Sequence, residues 1–148
     1  IPPSVARRTT GCFEAALGVI FTSGIQHMAE SPEGMAEQPG YIKDYMRELP
    51  DRWDDTRFIE GYPGKYVILA RKKDNTWYIA GINGEKKART ANLKLPFLKD
   101  PINGQIITDS SDTNHTSSRN ISLSEPASVK MHPYGGFVIK ATPSQAGK

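Results

Sequence analysis

The residues in this chain that could do chemistry are few, and their spacing decides what they can do. The carboxylates Asp51, Asp54, Asp55 and Glu60 crowd into ten positions, and Asp109 and Asp112 form a second, smaller group. Two carboxyl groups flanking a glycosidic bond are what glycoside hydrolysis requires, one as acid and one as base or nucleophile. Their sequence context favours local duties instead. Asp54-Asp55 follows Trp53 where a helical pattern gives way to a strand, the place for an Asx turn or a cap, and Asp109 ends a strand beside a Ser-rich stretch. The three histidines, His27, His115 and His132, share no metal-ligand spacing with one another or with the lone Cys12. Neither a phosphate loop nor a Gly-x-Ser-x-Gly elbow occurs. No catalytic residue and no metal ligand is therefore assigned. The remaining candidates are aromatic: Trp53, Tyr62, Trp77 and Tyr78 could stack on sugar rings, or they could be core. On the run TWYIAGIN both faces carry apolar groups, so at least one of Trp77 and Tyr78 is expected in the core.

Two kinds of element must position these residues. From Thr9 to Ala29 the pattern is helical, with Phe13, Leu17, Ile20, Phe21, Gly24 and Met28 as one stripe and Cys12, Ala15, Ala16, Val19 and Ile25 filling much of the rest. Such a helix needs cover on most sides. Gly18 and Gly24 weaken it intrinsically, each by about 1 kcal/mol relative to Ala, which close packing would justify. Ser31-Pro32 starts a short second helix with Ser31 as N-cap, and Tyr41 to Leu49 forms a third that Pro50 stops. Beyond Pro50 the period changes to that of strands. TRFIEGY, KYVILARKK, TWYIAGIN and KARTANLKL are followed by Gly104 to Thr108, Arg119 to Ser124, Ala127 to His132 and Gly136 to Ala141. Asp74-Asn75 and Asn83-Gly84 are turn signals, the latter the strongest short hairpin signal. Ser110 to Ser118 reads as a polar loop, and the residues after Pro143 are expected to be disordered. The fold class that follows is mainly β, an antiparallel β-sandwich preceded by two or three α-helices, with a helical segment at 1–50 and the sandwich at 51–148.

Composition bounds the partners. The chain has 148 residues and a net charge of +3, with 19 basic residues against 16 acidic ones. Basic clusters at Arg71-Lys72-Lys73 and Lys86-Lys87-Ala88-Arg89 flank turn signals and read as solvated hairpin ends, so no nucleic-acid partner is expected. The apolar run is too short and too interrupted to span a bilayer, and mean hydropathy is −0.51, so no membrane partner is expected either. The opening Ile-Pro-Pro lacks a Met, so Ile1 is not expected to be a native start, and the chain reads as an engineered expression product, a trimmed product or a fragment of something longer.

Three segments carry a resemblance: FTSGIQHMAESPEGM, then LPDRWDDTRFIEGYPGKYVILARKKDNTWYIAGINGE, and finally Gly135-Gly136-Phe137. Together they resemble the C-terminal part of glycoside hydrolase family 97. The most specific blocks are Trp53-Asp54-x-Thr56-Arg57-Phe58, Gly61-Tyr62-Pro63-Gly64 and Trp77-Tyr78-x-Ala80-Gly81-x-Asn83-Gly84. The resemblance implies a bacterial exo-acting α-glycosidase as parent, an α-glucosidase or α-galactosidase of the periplasm or cell envelope. It implies that the helices are left from the end of a (β/α)8 barrel, and that the sandwich serves in oligomerisation and in bracing that barrel. The catalytic glutamates and the calcium of the family lie on barrel strands, and no position here matches them. The chain is thus expected to be a non-catalytic fragment that partners the missing barrel and self-associates, the alternative being a carbohydrate-binding module built on Trp53, Trp77, Tyr62 and Tyr78. The first helix is expected to be poorly covered within one chain, or buried against a neighbouring copy.

Overall fold

The computed structural model describes residues 7–27, 30–98, 102–112, 115–123 and 127–143. Within them the chain forms helices α1 (Gly11–Ile20), α2 (Pro32–Glu37) and α3 (Gly40–Glu48). The strands are β1 (Asp55–Tyr62), β2 (Tyr66–Lys73), β3 (Thr76–Asn83), β4 (Arg89–Leu93), β5 (Ile102–Asp109), β6 (Thr116–Leu123), β7 (Ala127–Met131) and β8 (Gly136–Pro143). Six strands make one antiparallel sheet in the order β1-β2-β3-β8-β5-β6, and β4 pairs with β7 in a second. This is the expected antiparallel sandwich.

Alternation along the central strands sends side chains to two cores. Ile68, Ile79, Ile106, Phe137 and Ile139 meet Leu93, Val129 and Met131 of the small sheet. On the opposite face Tyr78, Ala80, Ile107 and Val138 meet Cys12, Ala16 and Val19 of α1 and Ile42 and Tyr45 of α3. The second core draws on residues from both sides of position 50.

Five sequence expectations change. α1 ends at Ile20 rather than Ala29, and its last two stripe positions fall outside it: Gly24 lies past the helix, and Met28 lies outside the described residues. The face of α1 against the sheet is not the Phe13–Leu17–Phe21 stripe. It is the run of small residues Cys12, Ala15, Ala16 and Val19, whose size lets the helix lie close. Gly18 is packed, since a Cβ there would meet Leu49 Cδ1 at 2.7 Å, whereas Gly24 has open space around it. The Asn83-Gly84 signal makes no hairpin with the next strand. Asn83 is the buried end of β3, donating to the carbonyls of Lys87 (2.8 Å) and His132 (3.0 Å) and so anchoring the crossing to the second sheet. Thr116 to Ser118 belong to β6 rather than to a loop, because Thr116 registers with Asp109 across a hairpin and a polar sequence suffices for a solvent-facing edge. Ser31 does cap α2, accepting from the Gly34 N–H at 3.0 Å. The tail after Pro143 lies outside the described residues.

Candidate functional site

The carboxylates are dispersed. Asp54 accepts the Asp74 backbone N–H at 2.8 Å, which holds its carboxyl below the usual range and closes the β2–β3 turn, where Asp74 takes φ +52°. Asp55 pairs with Arg57 on its own strand, and Glu60 accepts the Tyr66 hydroxyl. Asp112 accepts from Ser110 and His115, which together bring its carboxyl down to about 2. Among the described residues no group of three or more His, Cys, Asp or Glu side chains is placed to hold a metal.

The aromatic candidates separate in the same way. Trp77 and Tyr78 are both buried, Trp77 against Phe97 in the inter-sheet core and Tyr78 under α1 and α3. Trp53 is half-buried with its ring edge-on to Tyr78 at 5.4 Å. Neither Trp77 nor Tyr78 can stack on a sugar, because both faces of β3 are covered. Only Tyr62 of the four is exposed.

Sequence reasoning missed what the buried charges do. Asp109 stands at the N-terminus of α1, where its carboxylate accepts the Thr10 hydroxyl (2.7 Å) and the N–H groups of Cys12 (3.0 Å) and Gly136 (3.3 Å). Arg71 stands at the other end, donating from Nε to the Val19 carbonyl (2.5 Å), from Nη2 to the Ile20 carbonyl (3.2 Å) and from Nη1 to the Thr56 hydroxyl (2.8 Å). The two side chains are only 7% and 8% exposed. The Gln26 amide takes the Gly18 carbonyl (2.9 Å) and the Phe21 N–H the Leu17 carbonyl (3.0 Å), so all four terminal carbonyls of α1 have donors. A helix is positive at its N-terminus and negative at its C-terminus, so an acid from β5 and a base from β2 complement both ends. Arg71 is thus no solvated hairpin end, and Asp109 does no turn chemistry. The sequence holds one trace of this: alternation puts Arg71 on the same face as Val67 and Leu69, a charge in register with apolar side chains. Burial raises the Cys12 thiol far above its ordinary value, with the Asp109 charge adding to it.

With α1 seated, the large exposed hydrophobics fall into two groups: Phe21 (62% exposed) and Ile25 (72%), and Phe58 (67%) and Tyr62 (60%). Phe21 and Ile25 belong to a groove of about 390 Å³ along the outer side of α1, with Leu17, Met35, Ile42 and Met46. Phe58 and Tyr62 belong to a groove of about 540 Å³ at the β1 edge, with Phe13, Pro63, Val67 and Ile82. The expectation of a poorly covered α1 is met on its outer side only.

Comparison with known proteins places this geometry. The family model described as "Glycosyl-hydrolase 97 C-terminal, oligomerisation" matches residues 52–142. A retaining alpha-galactosidase of Bacteroides thetaiotaomicron is 27% identical over 138 residues, covering 88% of this chain and 20% of that protein. A probable retaining alpha-galactosidase of Streptomyces bingchenggensis is 30% identical over 135 residues, covering 91% of this chain and 21% of that protein. The crystal structure of a beta-arabinopyranosidase superposes with TM-score 0.85 at 30% identity, over 94% of this chain and 22% of that one. The chain therefore spans about a fifth of the length of the relatives it matches.

Proposed function

Because the chain belongs to glycoside hydrolase family 97 and carries that family's C-terminal oligomerisation domain, we propose that it is the non-catalytic assembly domain of a longer α-glycosidase. In this reading the domain braces a catalytic barrel and associates with further copies, and it contributes no acid or base to hydrolysis. The catalytic carboxylates, and the calcium expected with them, belong to the barrel, and the parent works in the bacterial periplasm or cell envelope. Two relatives named as retaining alpha-galactosidases make α-galactosides the first substrates to try. A similar domain in a beta-arabinopyranosidase is what a part that does not read the sugar would allow.

The observation that carries this reading is the unequal cover of α1. Its inner face is sealed by the sheet and its ends are held by Asp109 and Arg71, yet Leu17, Phe21 and Ile25 line an open groove. Arg7 lines the same groove. An apolar groove rimmed by polar groups is the surface a packed neighbour would need.

The test begins with the coding sequence upstream of Ile1. It should encode a barrel, and the extended protein should hydrolyse p-nitrophenyl α-galactoside or α-glucoside while the 148-residue chain does not. Phe21→Asp with Ile25→Asp in the extended protein should then speed proteolysis between barrel and sandwich. A reading frame without a barrel, or hydrolysis by this chain alone, would overturn the proposal.

A further inference from the structure

We infer that the outer face of the small sheet, β4 with β7, binds a linear acidic polysaccharide, a chain of uronate sugars. This goes beyond the assembly reading, since the small sheet and α1 pack on opposite faces of the six-stranded sheet.

Charge is divided unequally along the chain. Residues 1–50 carry four basic and six acidic side chains, whereas residues 51–148 carry fifteen basic and ten acidic ones. Such an asymmetry gives the basic part a field that attracts anions. The stretch KKARTANLK, Lys86 to Lys94, holds four basic residues and no acid, and β7, ASVKM, adds Lys130 and again no acid.

Alternation decides where these charges point. Ala91 and Leu93 of β4 and Val129 and Met131 of β7 are buried in the inter-sheet core, so Thr90, Asn92, Ser128 and Lys130 face water on the other side. Thr90 registers with Lys130, and Asn92 with Ser128. Lys94, exposed just past β4, lies four residues beyond Thr90, about 13 Å along the strand direction. Lys86 and Lys87 are exposed where the chain enters β4. Lys87 approaches Glu85 at 3.8 Å, but Arg89 already engages that carboxylate at 2.5 Å. Arg89 itself turns inward over the Tyr66 ring, 3.9 Å from its centroid, and does not join the face. Among the described residues Lys86, Lys94 and Lys130 have no ion-pair partner.

The side chains between the lysines select the partner. A helix or sheet that enters an anionic bilayer adds apolar or aromatic groups to its lysines, and a single-stranded nucleic acid asks for aromatics that stack on bases. This face has neither. Between Lys130 and Lys94 stand a threonine, an asparagine and a serine, short groups that both donate to and accept from hydroxyls. Lysines for carboxylates, with hydroxyl and amide groups between them, match a sugar chain that carries carboxylates among its hydroxyls. Register within the sheet sets the row before binding, which lowers the cost of ordering it.

Isothermal titration calorimetry of the full chain with polygalacturonate tests this. Wild type should bind saturably at low salt and roughly tenfold more weakly once the Debye length falls below about 10 Å. Lys94→Glu with Lys130→Glu should weaken low-salt binding by roughly tenfold, because opposed charges become like charges. Arg47→Glu with Arg52→Glu makes the same change of charge at and after α3 and should bind as wild type does. All four positions are exposed, and urea unfolding should show both variants folded. Fully methyl-esterified polygalacturonate, which keeps hydroxyls and loses charge, should not bind. Equal weakening by both variants, or no binding by wild type at low salt, would overturn the inference. Binding to phosphatidylglycerol vesicles at least as tight as to the polysaccharide would do the same. None of these outcomes touches the assembly reading, which stands or falls with the barrel upstream.

Discussion

The seating of α1 by a buried arginine gives the sharpest stability prediction. Arg71→Met keeps the length of the side chain and removes its charge and donors. The carbonyls of Val19 and Ile20 then lose their donors inside a closed interface, as does the hydroxyl of Thr56. Hydrogen bonds from a charged donor contribute about 1.5–3 kcal/mol, and a buried acceptor left unmade costs about 1–3 kcal/mol. A cation at a partly buried helix C-terminus adds up to about 2 kcal/mol. Against these stands the cost of burying the guanidinium, whose proton affinity is lowered by desolvation. The balance is a loss of about 3 kcal/mol, roughly a 150-fold drop in the folded-to-unfolded ratio. Urea unfolding followed by tryptophan emission would read it, with the change in midpoint at constant slope giving the energy. Cys12 supplies a second, local readout. It is fully buried in the first turn of α1, so a thiol reagent labels it only when the helix lifts, and Arg71→Met should speed labelling. Arg71→Lys keeps the charge without the fork and should lose about half as much. Lys72→Met, one residue on and facing the other way, should cost no more than about 0.5 kcal/mol. Arg71→Met within about 0.5 kcal/mol of wild type, with Cys12 labelling unchanged, would refute the argument that the helix is held from its C-terminus.

The opposite end should behave alike. Asp109→Asn replaces one accepting oxygen with a donor among three donors and should cost about 2–4 kcal/mol in the same urea assay. Gly136→Ala should cost about 3 kcal/mol, because its Cβ would lie 2.6 Å from the Gly81 carbonyl and 3.0 Å from the Cys12 carbonyl, backbone on either side that cannot swing away. Gly81→Ala meets the Phe137 ring at 2.5 Å, and a ring can shift, so the loss should be smaller, as the difference in unfolding midpoints would show. For Asp112 the folded carboxyl is depressed, so its favourable contribution is present above the unfolded value and is lost as pH falls through about 2. Carbon-detected NMR should find that midpoint near 2, and Ser110→Ala should move it upward. Titration with galactose or maltooligosaccharides should leave tryptophan emission unchanged, since Trp77 is buried and Trp53 packs on Tyr78; a saturable shift would reinstate the carbohydrate-binding alternative.

Much of the fold was legible in the chain because its signals are local. Alternation in KYVILARKK and TWYIAGIN, the Asp74-Asn75 turn between them and the Ser31-Pro32 helix start depend on residues within one or two turns of each other, and they reappear as β2, β3 and α2. The resemblance likewise rests on contiguous blocks, and the family match at 52–142 covers most of them. What tertiary structure alone decided is who meets whom. Asn83-Gly84 reads as a hairpin until β4 is found paired with β7, and Cys12 with Ala16 reads as filler until the sheet lies against them. Arg71 and Asp109 are 38 residues apart in sequence and come from β2 and β5, so no window along the chain could relate them. They are related only through the ends of α1, where a helix must leave carbonyls and N–H groups unpaired and where a buried sheet face leaves no water to satisfy them.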